Sequence, residues 1–134
     1  MMNPFYNRLF AIASLLGAFG VIIGAFGAHF LKSRLDITSL DIIKTGVLYL
    51  FIHVLTVLFV VVIGSKNEQS RLLRSAGIFF LSGIFLFSGS LFFIATRSLT
   101  NLDVPLIGVL TPLGGLCFII GWMMMSIYAF SARF

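Results

Sequence analysis

The chain has 134 residues, 60% of them hydrophobic and 10% charged, with a mean hydropathy of +1.14. An average soluble domain is about 45–50% apolar and about 25% charged, so too few polar residues are present to cover a water-exposed surface. The net charge of +5 would suggest nucleic acid in a soluble protein. Here the basic residues lie between apolar runs, with no basic stripe interleaved with aromatics, and they read as membrane topology and anionic headgroups.

The first apolar run extends from Leu9 to Phe30, preceded by Arg8 and free of charge until Lys32. A signal peptide has a core of only about 7–15 apolar residues, so this longer run reads as a retained first span. A polar connector follows, carrying Lys32, Arg34, Asp36, Asp41 and Lys44 among apolar residues. Thr38 with Asp41 three residues on resembles a capping box, which predicts a second helix from near Ser39 and a second span over 44–64. Lys44 can snorkel to the headgroups. The segment Ser65 to Arg74 is a polar hairpin, the third span runs over 73–96, and Arg97, Asn101 and Asp103 lie in the next loop. The fourth span covers 106–130, and Arg133 follows it. A span needs about 20 residues, so the sequence predicts an all-α, four-helix transmembrane bundle forming a single domain over 1–134.

With four spans, Arg8, Lys66, Arg71, Arg74 and Arg133 share one side, and Lys32, Arg34, Lys44 and Arg97 the other. The second group is further offset by Asp36, Asp41 and Asp103. The positive-inside rule therefore predicts cytoplasmic termini.

Small residues recur at sevens. Gly17 and Gly24, and Gly20 and Gly27, are so spaced in the first span; Ala76, Gly83 and Ser90 in the third, beside Gly89; Gly108 with Gly115, and Gly114 with Gly121, in the fourth. Seven-residue spacing keeps one face in contact when helices supercoil left-handedly, and small residues permit close approach in lipid. This predicts that the glycine faces of three helices meet inside the bundle while most phenylalanines face lipid or fill gaps.

Four segments together resemble one family. They are Gly24 to Leu35 (GAFGAHFLKSRL), Thr45-Gly46-Val47-Leu48-Tyr49 followed by His53, Phe87-Ser88-Gly89-Ser90-Leu91, and Thr111-Pro112-Leu113-Gly114-Gly115 continuing to Gly121-Trp122. The chain resembles the small membrane proteins known as domain of unknown function 423. These include YgdD-like and YwdK-like bacterial proteins, and transmembrane protein 256 is the eukaryotic relative. Phe92 stands where the family usually has tyrosine. The resemblance implies a multi-pass membrane protein of about this length, expected in a bacterial plasma membrane, without an established activity.

His53 lies deep in the second span, where an ionisable side chain normally faces the bundle or water. Tyr49 is one turn earlier on the same face, so the two can hydrogen-bond or share a partner. A proton relay or ligand site is one reading, a neutral histidine that fixes packing the other. His29, at the exit of the first span, reads as an interfacial group. Ser88 and Ser90 can bond to their own helix or across to a neighbour, and nothing supplies the other groups a serine nucleophile needs. Thr111-Pro112 predicts a kink in the fourth helix, because Pro112 leaves the Gly108 carbonyl without its usual donor.

Two histidines and the lone Cys117, on three different spans, do not make a metal set, and no cofactor is expected. All four carboxylates, Asp36, Asp41, Glu68 and Asp103, lie in loops, so a proton-coupled carrier would have to use His53. The sequence therefore points first to a structural or accessory protein that packs with itself or with membrane partners. The alternative is a small transporter or channel with His53 and Tyr49 on a polar path, and an embedded enzyme or cofactor carrier is more remote. The bilayer is the expected surrounding, with no nucleic acid and no small-molecule substrate identified.

Overall fold

The computed structural model describes residues 3–100 and 104–131. Asn101, Asp103 and Arg133, used above for topology, lie outside the described residues. Helix α1 spans Pro4–His29, followed by a short 3-10 turn at Leu31–Ser33. Helix α2 spans Ile37–Lys66. The third span is a continuous rod made of α3 (Arg71–Gly83), a π turn (Ile84–Ser88) and α4 (Gly89–Thr100). Helix α5 spans Ile107–Ser131. Four of these rods are long and apolar enough to cross a membrane, and among the described residues there is no strand. The fold is an all-α four-helix membrane bundle.

The starts of α1, α2 and α3 each have a local cause. Asn3 caps α1 through its side-chain oxygen, which accepts from the Phe5 N–H at 2.9 Å, with Pro4 in the first turn where its missing N–H costs nothing. Ser70 caps α3 by accepting from the Leu73 N–H at 3.3 Å. The predicted Thr38–Asp41 box is corrected here. Helix α2 begins two residues earlier than expected, because Asp36 is the cap and its carboxylate accepts from the Ser39 N–H at 2.6 Å. The Asp41 carboxylate instead pairs with Lys44 Nζ at 2.7 Å. That ion pair is largely exposed and adds little to stability.

Helix α2 is the most buried of the four rods. It packs against α1 on one side and against the third span on the other, while α5 packs mainly against α3 and the π turn. The core joins Tyr6, Leu9 and Ala13 of α1 to Leu50, Val54, Val57, Val60 and Val61 of α2, Leu73, Ala76 and Phe80 of α3, and Phe118 of α5.

The glycine faces do not all meet one another, and that expectation is corrected. Those of α1 rest on branched or aromatic side chains of α2, in antiparallel register: Gly17 over Val54, Gly20 over Leu50 and Phe51, Gly24 over Val47, Gly27 over Ile43. A separate seam joins the third span to α5. There Gly83 faces Phe118 and the Gly114 carbonyl, Gly121 faces Phe80, and Gly114 lies against the backbone of Phe87. A Cβ added at Gly114 would meet the Phe87 backbone nitrogen and come within 2.8 Å of its Cα, so only glycine fits without moving a helix. Gly115 is only in loose contact with the Phe87 ring, and Gly89 and Gly108 face nothing within 4 Å, so these last two are not packing positions. Gly46, Gly64 and Gly77, outside the predicted seams, accept Phe92, Tyr6 and Leu9. Phe10, Phe19, Phe26, Phe59, Phe85 and Phe130 point outward, whereas Phe80 and Phe118 are buried.

Gly114→Val should destabilise the protein by about 1–3 kcal/mol or more, the usual cost of overpacking. Gly89→Ala, which adds a methyl into open space, should be neutral or stabilising by up to about 1 kcal/mol. Denaturation by SDS in mixed micelles, followed by circular dichroism, measures both. A second prediction concerns the cap. Hydrogen bonds from the Ser39 backbone N–H and then the Ser39 side chain hold the Asp36 carboxyl below its ordinary 3.8. A lowered folded-state value means the stabilisation is present above the ordinary value and is lost as pH falls through the folded one. Amide exchange in the first turn of α2 should therefore accelerate selectively below about pH 3.8, and Asp36→Asn, which keeps an acceptor oxygen without titrating, should remove that dependence.

Candidate functional site

His53 is carried by the central helix and is 4% exposed. Its Nδ1 lies 2.8 Å from the Tyr49 carbonyl oxygen. A carbonyl only accepts, so Nδ1 carries the hydrogen, and in the neutral form of the ring Nε2 is left as an acceptor. The hydrogen bond thus runs to the Tyr49 backbone, and the two side chains are associated only by ring contact, with centroids 6.0 Å apart. The imidazole lies flat on Phe118 at 3.4 Å and 6°. Phe80 at 5.8 Å and the edge of Trp122 at 6.4 Å complete its surroundings. Tyr49 packs on Phe87 at 4.6 Å, and Phe80 meets Trp122 edge to face at 5.3 Å. Aromatic pairs of this kind contribute about 0.5–1.5 kcal/mol each beyond area burial.

All of these rings but Phe80 wall a groove of about 640 Å³ between α2 and α5, lined among others by Tyr49, Ile52, His53, Pro112, Leu116 and Trp122. Half-exposed Ile52, Leu116, Ile119 and Trp122 place it on the outer, lipid-facing surface. Helix α5 remains helical across Pro112. Chemically, the groove offers flat aromatic faces, the Tyr49 hydroxyl and one imidazole nitrogen.

One turn away, Ser90 and Thr111 meet across the helix interface with oxygens 2.7 Å apart. Ser90 spends its hydrogen on the Phe87 carbonyl at 2.9 Å, so the Thr111 hydroxyl donates to Ser90. Ser88, in the π turn, is fully buried, and its hydroxyl has no hydrogen-bond partner. His29 is exposed at the end of α1. In the antiparallel register of α1 on α2, its level is that of residue 42, roughly 16 Å from His53 at 1.5 Å per residue, so the two histidines are not brought together. Among the described residues, no three His, Cys, Asp or Glu side chains gather as a metal set.

Phe80, Phe118 and Trp122 are the site residues that sequence reasoning overlooked. Trp122 was quoted only as part of a motif. Phe118 had no signal of its own, because α5 is apolar around its whole circumference and its sequence does not mark an inner face.

Residues 23–115 match a family described as protein of unknown function, DUF423. The chain is 34% identical over 123 residues to the UPF0382 membrane protein YwdK of Bacillus subtilis, covering 91% of this chain and 96% of that one. It is 36% identical over 128 residues to a UPF0382 membrane protein of Haemophilus influenzae, covering 95% and 97%. It is 33% identical over 117 residues to the UPF0382 inner membrane protein YgdD of Escherichia coli, covering 87% and 85%. No solved structure matches.

The Ser90–Thr111 bond predicts a measurable coupling. A double-mutant cycle with Ser90→Ala and Thr111→Val should give about 0.5–1.5 kcal/mol, the range for hydrogen bonds between membrane helices. Additivity within about 0.3 kcal/mol would mean the two hydroxyls do not meet.

Proposed function

The chain belongs to the DUF423 family of membrane proteins, and on that premise we propose that it is a small accessory protein that binds a second transmembrane helix in the groove between α2 and α5. The observation that carries the reading is the groove itself, a concave aromatic surface with a fixed imidazole, opening toward lipid rather than toward a central pore. Helix-in-groove docking needs just such an apolar concavity with a few polar groups for register. The partner is another membrane protein or a second copy of this chain.

The polar groups of the spans support this reading over transport. Thr56 bonds to the Ile52 carbonyl, Ser65 to that of Val61, Thr96 to that of Phe92, and His53 to that of Tyr49. Each closes on its own helix, and Ser90 and Thr111 close on each other, so beyond the Tyr49 hydroxyl and one His53 nitrogen little is left to line a water-filled path. Of the described carboxylates, Asp36 and Glu68 lie between helices in sequence; Asp41, expected in a loop, lies instead in the second turn of α2, where it is exposed and paired with Lys44. We read no enzymatic activity in the chain. We place it in the bacterial plasma membrane with both termini cytoplasmic. The Escherichia coli relative, an inner membrane protein by name, supports the location, and the distribution of lysine and arginine supports the orientation.

A photoreactive amino acid at Ile119, in the groove and 60% exposed, should crosslink to a membrane protein or to a second copy in intact cells. The same group at Phe59, equally exposed but outside the groove, should crosslink only to lipid. Lipid adducts alone from both positions would contradict the proposal. Solute flux in proteoliposomes abolished by His53→Ala, with the fold retained, would instead establish the transporter reading.

A further inference from the structure

At the opposite end of the α1–α2 contact from Tyr6 and Gly64 lies a second groove, of about 610 Å³. Gly24 and Gly27 of α1 form its floor, Val47, Leu48 and Phe51 of α2 stand along it, and Lys32 and Lys44 sit at its mouth. This furrow is not the by-product of a forced helix approach. An added Cβ would stand 3.8 Å from Val47 at Gly24 and 3.4 Å from Ile43 at Gly27, both ordinary contacts, whereas at Gly20 it would come within 2.7 Å of Leu50. Closure at Gly20 is steric; at Gly24 and Gly27 the missing side chains leave open volume.

Charge is unevenly placed around this furrow. Lys32 is exposed and has no ion pair among the described residues. Lys44 holds Asp41 at 2.7 Å, but with side chains 76% and 61% exposed that pair is weak and readily exchanged. Two further charges of the connector are already engaged away from the mouth: Arg34 lies over the Phe30 ring at 4.5 Å, and the Asp36 carboxylate caps α2. The mouth is therefore cationic and the interior apolar. Seven residues of α2 separate Lys44 from Phe51, a depth of roughly 10 Å at 1.5 Å per residue, and the volume is within the range of about 300–1,000 Å³ for ligand pockets.

We propose that this groove is a binding site for one anionic phospholipid, with its phosphate between Lys32 and Lys44 and the upper part of an acyl chain lying on Gly24 and Gly27. The apolar floor alone would accept any lipid of the surrounding layer. It is the pair of ammonium groups at headgroup level that selects a net negative headgroup over a zwitterionic one, whose own ammonium would be pressed against them. A basic side chain at the membrane surface contributes about a five-fold preference for anionic lipid, so two give a preference on the order of ten-fold or more.

The test uses the full chain, delipidated in detergent and offered equal amounts of phosphatidylglycerol and phosphatidylcholine, with bound lipid counted by native mass spectrometry. The expected result is one retained phosphatidylglycerol, favoured about ten-fold. The double variant Lys32→Gln, Lys44→Gln, altered only at exposed positions, should bring the ratio near one. Arg34→Gln, in the same connector but not lining the groove, should leave it unchanged. Gly24→Leu, which fills the floor, should reduce retention of both lipids, and if that variant does not fold, Leu48→Phe at the exposed wall serves the same purpose. Equal retention of the two lipids by the native chain would overturn the proposal. So would a preference that survives the double variant, or one lost equally with Arg34→Gln, which would reveal diffuse surface charge rather than a site.

Discussion

The contact between Gly114 and the backbone of Phe87 is the constraint from which the rest of the α2–α5 architecture follows. Lipid tails are as apolar as leucine, so helices in a bilayer gain little from hiding apolar surface from one another. They gain from dispersion and hydrogen bonds at short range. A helix pair can exploit those only where side chains are small enough for backbones to touch. Once Gly114 lies on Phe87, Gly83 admits the Phe118 ring and Gly121 admits Phe80. Ser90 and Thr111 are then drawn to 2.7 Å. Phe118, fixed on Gly83, presents its face to His53. The groove and its imidazole are thus consequences of a seam on the far side of the same ring.

The π turn belongs to this seam. Ile84–Ser88 inserts a wider turn in the third span opposite Gly114, and π turns of this kind recur at functional sites in helices. The wider turn loosens the regular ladder around Phe87, where its backbone meets α5, and Ser88 is left buried with its hydroxyl unpaired. An unmet polar group is a cost, offset here by the contacts that the turn permits. By contrast, the α1–α2 interface is a regular zipper in which Gly20 and Gly64 admit Leu50 and Tyr6 closely, while Gly17, Gly24 and Gly27 stand in ordinary contact.

Much of this was legible in the sequence, for identifiable reasons. Four spans follow from the length of apolar runs, since the bilayer imposes about 20 residues per crossing. Four ordered motifs carried the family. That His53 would be enclosed followed from the cost of an ionisable group in lipid. Sequence could not tell which partner each glycine meets: a face of small residues reports closeness but not what it is close to, so three helices were expected to converge where two separate seams exist. Nor was the enclosing face of α5 visible, because a helix apolar on all sides has no periodicity to read. At the start of α2, the Thr38–Asp41 pattern competed with Asp36, and the residue that reaches the Ser39 N–H first in the chain became the cap. The π turn has no sequence signature beyond the unusual cluster of serines and glycine at its end.

The most direct test of this architecture is disulfide crosslinking across the seam. A chain carrying Ser90→Cys and Thr111→Cys, with Cys117→Ser to remove the native thiol, would be oxidised in native membranes and its mobility compared before and after reduction. The two native oxygens are 2.7 Å apart, so the account predicts rapid, nearly complete crosslinking within a single chain, giving a faster-migrating monomer. No crosslink, or crosslinks only between chains, would mean that the third span and α5 do not meet at Gly114 and that the groove beside His53 is not built as described.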